Sequence, residues 1–171
     1  MDRSGQDERY RNAAAEYGPA LERLARAVEA DPTERRDLLQ EIHFAVWRSM
    51  SGFDGRCSMR TWVYRVAHNA AASHAMRGRR APKGVSIEEL AVADDAASPE
   101  EIASEHQALE KLMAMIRALK PPDAQVMLLY LEDLDAAAIG EITGISPGAI
   151  ATKIHRIKAL LARRFQGGRD D

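Results

Sequence analysis

The sequence predicts an all-α protein: two small helical domains joined by a flexible acidic linker. Three observations lead there. Hydrophobic residues make up 46% of the chain and aromatics only 5%, with Ala, Leu, Glu and Arg prominent, a mix that favours helix over sheet. Asp31-Pro32-Thr33-Glu34, Ser98-Pro99-Glu100-Glu101 and Ser146-Pro147 each set an N-cap oxygen before a proline at the first helical position. Proline is tolerated there because its missing N–H would have had no intrahelical partner. The first two also carry a Glu at the third position, as in a capping box. Apolar residues recur at helical spacing on both sides of a stretch, Arg79 to Pro99, where the pattern stops.

The first helix is expected from about Arg11 to Ala30, with Tyr17, Leu21, Leu24 and Val28 inward, and with Gly18-Pro19 either kinking it or delaying its start. A second runs from Pro32 to about Met50 on Leu38, Leu39, Ile42, Val46 and Trp47. Ser51 to Gly55 is a turn. A third covers about Met59 to Arg77, with Trp62, Val63, Val66 and Ala70 at core spacing. The following stretch holds Pro82, Gly84, Asp94, Asp95 and Ser98 and reads as a linker, with a short turn at Ser86 to Leu90. A helix from Pro99 to about Leu119 is stopped by Lys120-Pro121-Pro122. Another runs from Asp123 to about Glu132, and two more, about Asp135 to Thr143 and Pro147 to Phe165, are joined by a short turn.

Charge placement points to function. From Gly55 to Lys83 there are seven Lys or Arg (Arg56, Arg60, Arg65, Arg77, Arg79, Arg80, Lys83) and no acid. From Ile142 to Arg169 there are six more (Lys153, Arg156, Lys158, Arg163, Arg164, Arg169), again with no acid. The other eleven share the rest of the chain with all 26 acids, so a net charge of −2 hides two basic segments. Two separated cationic surfaces suit two contacts with a polyanion, and DNA is the expected one. A solvated helix face explains an isolated basic run as well, so the interleaved residues decide the matter.

Ala136 to Ile157 has the features of a helix-turn-helix. Ile139, Ile142, Ile145, Ile150, Ile154 and Ile157 sit where two crossed helices bury side chains. Gly140 is small where the helices approach, and Gly144 suits the left-handed conformation that ends the first. Ser146 caps the second helix, and Pro147 and Gly148 form its first turn. Such a helix enters the major groove by its N-terminal part. Ala149, Thr152, Lys153 and Arg156 are expected to face outward, the cations toward phosphate or guanine and Thr152 toward a base edge or thymine methyl.

In Gly55 to Arg80, basic residues alternate with Trp62, Tyr64, His68 and Asn69. Aromatics offer stacking surfaces to unpaired bases and Arg tracks phosphates, which suits melted DNA better than intact duplex. A Trp at helical spacing is more often core, so Tyr64, Arg65 and His68 are the better candidates for an exposed face.

The chain resembles a bacterial sigma factor of the sigma-70 family, extracytoplasmic-function (ECF) subfamily. Three stretches carry the resemblance: Arg36-Asp37-Leu38-Leu39-Gln40-Glu41 followed by Trp47; Phe53-Asp54 through Arg60-Thr61-Trp62-Val63-Tyr64-Arg65-Val66-Ala67-His68-Asn69; and Leu119 through Arg156, with Ile139-Gly140-Glu141-Ile142 and Gly144-Ile145-Ser146 at its centre. It implies sigma region 2 over residues 11–80, a linker over 81–98 and sigma region 4 over 99–166. It implies that Asp37, Leu38, Gln40 and Glu41 dock on core RNA polymerase. Arg56, Arg60, Trp62, Tyr64, Arg65, His68, Asn69 and Arg77 would meet the minus-ten element. Ser146, Gly148, Ala149, Thr152, Lys153 and Arg156 would meet the minus-thirty-five element. The linker acids Glu88, Glu89, Asp94 and Asp95 resemble a segment that passes near the polymerase cleft, although a solvated tether explains them equally. Promoter DNA, core polymerase and an anti-sigma factor are the implied partners. The rival readings are a sigma-like decoy that sequesters an anti-sigma factor and a free-standing helix-turn-helix regulator.

Other classes find little support. The five histidines are scattered, no Gly-rich phosphate loop or nucleophile motif is present, and no zinc site is legible, so neither an enzyme nor a metal or cofactor is expected. Cys57 is the only cysteine, has no internal disulfide partner, and reads as a small packed side chain. No apolar run approaches the roughly 18 residues of a membrane span, and the polar start is unlike a signal peptide. A cytoplasmic protein with no membrane or small-molecule partner is expected.

Overall fold

The computed structural model describes residues 3–78, 84, 86, 87, 89 and 105–166. Among these lie seven α-helices and no strand: α1 (Arg3–Val28), α2 (Pro32–Ser49), α3 (Met59–Arg77), α4 (Glu105–Ala118), α5 (Pro121–Leu131), α6 (Ala136–Thr143) and α7 (Pro147–Gln166). A 3-10 turn, Met50–Gly52, follows α2. The chain forms two compact units, one of Met1–Ala81 with Glu141–Thr143 and the other of Pro82–Gly140 and Gly144–Asp171.

In the first unit α1, α2 and α3 pack around Leu21, Leu38, Ile42, Val46, Met50 and Val63, all fully buried. Asp31 starts α2 by accepting the Thr33 and Glu34 amides at 2.9 and 3.0 Å. The expected reciprocal half of that capping box takes another form, since the Asp31 amide donates to Glu29 Oε1 at 3.4 Å. Ser58 caps α3, its Oγ accepting the Thr61 amide at 3.0 Å. The expected start at Ser98-Pro99 lies outside the described residues, as do Arg79, Arg80, Lys83, Glu88, Leu90, Asp94 and Asp95.

The first helix differs from expectation. It begins at Arg3 rather than near Arg11, and it runs through Gly18-Pro19 without a break. A helix-interior proline removes one backbone bond and costs about 3 kcal/mol. Packing offsets this on both sides of Pro19, with Ala13 buried before it and Ala20, Leu21 and Leu24 after it. The first turns are also tied to α2. Gln6 Nε2 donates to the Trp47 carbonyl at 2.9 Å, and Trp47 Nε1 donates to Asp7 Oδ1 at 2.8 Å. The Tyr10 hydroxyl meets His43 Nδ1 at 3.0 Å.

The second unit gathers Met115, Ile116, Leu119, Met127, Ile157, Leu160 and Leu161 into one cluster. Pro121 and Pro122 open α5 instead of only ending α4, because the first helical positions need no N–H partner. The Lys120 carbonyl accepts the Asp123 and Ala124 amides, each at 3.0 Å. Asp135 caps α6 through the Ala138 amide at 2.8 Å. Gly144, at φ 77°, ends α6, its amide bonded to the Gly140 carbonyl at 2.8 Å. Ser146 Oγ accepts the Ala149 amide at 3.3 Å and starts α7. Ile139, Ile142, Ile150 and Ile157 are buried, whereas Ile145 and Ile154 are only half-buried. A Cβ on Gly140 would stand 2.9 Å from the Ile145 carbonyl oxygen, which is why the smallest residue occupies that turn.

Candidate nucleic-acid interface

The outer face of α7 is exposed. Gly148, Ala149, Ala151, Thr152, His155 and Arg156 are exposed and follow the acid-free start of the helix. Thr152 Oγ1 donates to the Gly148 carbonyl at 3.1 Å, which fixes its hydroxyl and leaves its oxygen as an acceptor. Lys153 departs from the expected outward face. Its ammonium donates to Asp123 Oδ1 at 2.5 Å, and Asp123 is only 7% exposed. The pair ties α7 to the start of α5, so a residue expected on the DNA side also holds the helix in place. Nothing local in the sequence marks Asp123 as buried; it stands in a first helical turn, where an exposed acid is ordinary.

On α3 the aromatics are structural, which corrects the expectation for Tyr64. Its ring is 6% exposed and packs edge-on against Tyr17 at 5.9 Å. The physical reason is the inward Tyr17 of α1, whose ring lies against Tyr64. Burial, with Glu16 beside it, pushes the Tyr17 hydroxyl up to about 12. Trp62 is half-buried: its Nε1 donates to Ser49 Oγ at 3.0 Å and its ring meets Phe53 at 5.5 Å. The buried Tyr64 ring is not free as a flat stacking surface.

The cations of α3 are laid over this framework. The Arg60 guanidinium lies 5.5 Å from the Tyr64 ring centre. Arg56 pairs with Asp54 at 3.0 Å on an exposed turn. Arg77 pairs with Glu41, and Glu41 also approaches His74 Nδ1 at 3.4 Å. Arg65 and His68 are half-buried, and Asn69 is exposed. Arg65 and Asn69 stand four residues apart, and the same helical row continues through Ala72 to Met76, which is 82% exposed.

On α2, Asp37 and Gln40 are exposed, but Leu38 is fully buried and holds the helix in its unit, so it has no surface to offer a partner. Sequence reasoning missed Phe44, which is 58% exposed, stacked on Trp47 at 5.9 Å and covered by Arg48 at 5.8 Å. The spacing Asp37, Glu41, Phe44, Arg48 was the available signal for this face. Cys57 is free and half-buried. Among the described residues no cluster of His, Cys, Asp or Glu is placed to hold a metal ion, and no helix is long and apolar enough to cross a membrane.

Comparison with known proteins places these helices in a family. Residues 13–81 match sigma-70 region 2, and residues 109–161 match sigma-70 region 4. The chain is 26% identical over 152 residues to the ECF RNA polymerase sigma factor SigG of Mycobacterium tuberculosis, covering 75% of this chain but only 41% of that protein. It is 23% identical over 176 residues to the ECF RNA polymerase sigma factor SigW of Bacillus subtilis, covering 96% of this chain and 92% of the relative. A similar solved fold is the sigma factor RpoE of Bartonella quintana, in a structure with the anti-sigma factor NepR, at 18% identity and TM-score 0.68 over 92% of this chain and 96% of that one. With both sigma regions present in order, the chain belongs to the sigma-70 family as a member of its ECF subfamily.

Proposed function

We propose that this chain is a transcription initiation factor that joins core RNA polymerase, directs it to particular promoters and aids their melting. Catalysis belongs to the polymerase. The observation that carries the reading is the pairing of two acid-free, cation-bearing helices, α3 and α7, within matched regions 2 and 4. The promoter-reading units take in residues 11–80 and 99–166, with 81–98 between them. Asp37, Gln40 and Glu41 on α2 face the polymerase. Arg56, Arg60, Arg65, His68, Asn69 and Arg77 line the minus-ten side, with Trp62 and Tyr64 stiffening the helix beneath. Ser146, Gly148, Ala149, Thr152 and Arg156 meet the minus-thirty-five element in the major groove, and Lys153 reaches phosphate only by leaving Asp123. An anti-sigma factor controls the protein, which works in the cytoplasm.

Run-off transcription with bacterial core polymerase on a library of promoter fragments tests this. A discrete start site that depends on the protein is expected. Arg156→Ala should weaken promoter binding by about tenfold, within the range for loss of a base-reading cation, and leave core binding unchanged. Equal loss of both would remove α7 from the DNA interface.

A further inference from the structure

Asp123 is the only acid buried among the described residues. It stands on a stiff base: Pro121 and Pro122 precede it in the first turn of α5, and its amide donates to the Lys120 carbonyl at 3.0 Å. The cation it holds is also singular. Residues 147–155, the end of α7 proposed to enter the groove, contain Lys153 and no other Lys, Arg, Asp or Glu. Lys153 shares a helical row with Ala149, one turn before it, and Arg156, one turn after it, and both are exposed. The backbone therefore places this lysine on the outward row, yet its ammonium turns off that row and bonds Asp123 Oδ1 at 2.5 Å. The Lys153 side chain is 33% exposed and that of Asp123 only 10%.

The pairing decides what α7 offers a duplex. Phosphate contacts supply affinity that is blind to sequence, and base-edge contacts supply the preference. A lysine on its flexible stem finds a phosphate in any register, so a released Lys153 would strengthen binding to every sequence. Leaving Asp123 would strand a buried carboxylate, a larger loss than one phosphate contact returns. The ammonium therefore stays, and the groove-entering end is left to Ala149 and Thr152, short side chains suited to base edges and methyl groups. Where such contacts fix the register, a freed lysine gains less than it does on DNA of arbitrary sequence.

We propose that Asp123 is a positioning residue for promoter specificity: it withholds the Lys153 ammonium from the DNA backbone, lowers the affinity of α7 for sequences other than its own element, and so widens the preference for that element. The inference rests on the DNA-reading role proposed for α7; the pairing itself does not.

Promoter binding by the full chain with core polymerase tests the first part. The probes are a promoter defined by run-off transcription and the same fragment with its minus-thirty-five element scrambled. Asp123→Asn keeps the shape of the side chain and removes its charge. It should bind the scrambled fragment about three- to tenfold more tightly and the intact one by less than about twofold, so the preference falls. On the scrambled fragment the slope of log affinity against log salt should steepen by about 0.9, the mark of one added phosphate contact. Adding Lys153→Met to Asp123→Asn should reverse both changes, which loss of a merely structural tie would not do. An unchanged slope, an equal gain on both fragments, or changes that persist in the double variant would overturn the proposal. The pairing is read separately on the wild type, which needs no variant to fold. Under limiting acetic anhydride, Lys153 should acetylate at least about fivefold more slowly than the exposed Lys158. Equal rates would overturn the pairing and the proposal with it. If no form of the protein binds a promoter with core polymerase, the proposed function fails, the specificity role falls with it, and the acetylation ratio alone decides the pairing.

Discussion

Helices α3 and α7 begin alike and are supported differently. Each starts at a serine cap and carries cations without acids. In the unit that carries α3, aromatic rings hydrogen-bonded at their edges tie the helices together around an aliphatic core: Trp62 of α3 to Ser49, and, between α1 and α2, Trp47 to Asp7 and Tyr10 with His43. Beneath α7 the unit is closed by aliphatic side chains and one buried ion pair, Lys153 with Asp123. A hydrogen-bonded ring is held in direction as well as depth, whereas an isoleucine is held only by the shape around it. The difference teaches that the first unit, which carries α3, is tied by directed polar bonds at its ring edges, whereas α7 is held by a tight turn and a single charge.

That contrast can be broken from the second unit first. Asp123→Ala leaves the Lys153 ammonium without its partner. Because Lys153 is about one-third exposed, the loss should fall below the usual range for a fully buried pair, at about 2 kcal/mol. Both tryptophans, Trp47 and Trp62, lie in the first unit, so thermal unfolding by tryptophan fluorescence should stay put while helical ellipticity falls earlier. Parallel shifts of the two signals would mean that the units do not unfold separately.

A smaller effect is expected at the turn. Gly140→Ala gains about 1 kcal/mol of helix propensity, but its Cβ meets a backbone oxygen at 2.9 Å that has no flexible end to give way. The clash should win by about 1 kcal/mol, read as a lower denaturant midpoint for the second unit. A stabilised variant would show that the turn relaxes more freely than its geometry implies.

Acid supplies the smallest effect and acts on the other unit. Burial lowers the His43 imidazole below its ordinary 6.5, against the charge of Glu22. The unfolded chain therefore binds the proton at a higher pH than the folded one, so this contribution is complete above 6.5 and is lost as pH falls below it. Tryptophan-detected unfolding should move down by a few degrees between pH 7 and 5. In His43→Gln, which removes the titrating ring, that movement should shrink. An unchanged pH dependence would assign the acid sensitivity elsewhere.

Much of this was readable beforehand, where local chemistry decides structure. The Asp31 and Ser146 caps, the left-handed Gly144 and the close approach at Gly140 each follow from one residue and its immediate neighbours. The misses are all tertiary. Pro19 reads as a breaker until α2 is packed along both halves of α1. Tyr64 reads as exposed until Tyr17 packs on it from α1, and Leu38 reads as one of a docking group until the bundle closes over it. Asp123 looks like an ordinary first-turn acid until Lys153 reaches it from 30 residues away.

The start of α1 bears on how such proteins exchange parts. The match to region 2 begins at residue 13, yet Gln6, Asp7 and Tyr10 bond to α2 from ahead of it. A chimera that transplants the matched segment alone would carry Trp47 into a setting without Asp7, leaving its indole donor unmatched, and would strip His43 of its hydroxyl neighbour. Grafts between relatives should therefore be cut before Gln6, and natural recombination at the edge of the matched segment would select for a polar substitute at the same two rings.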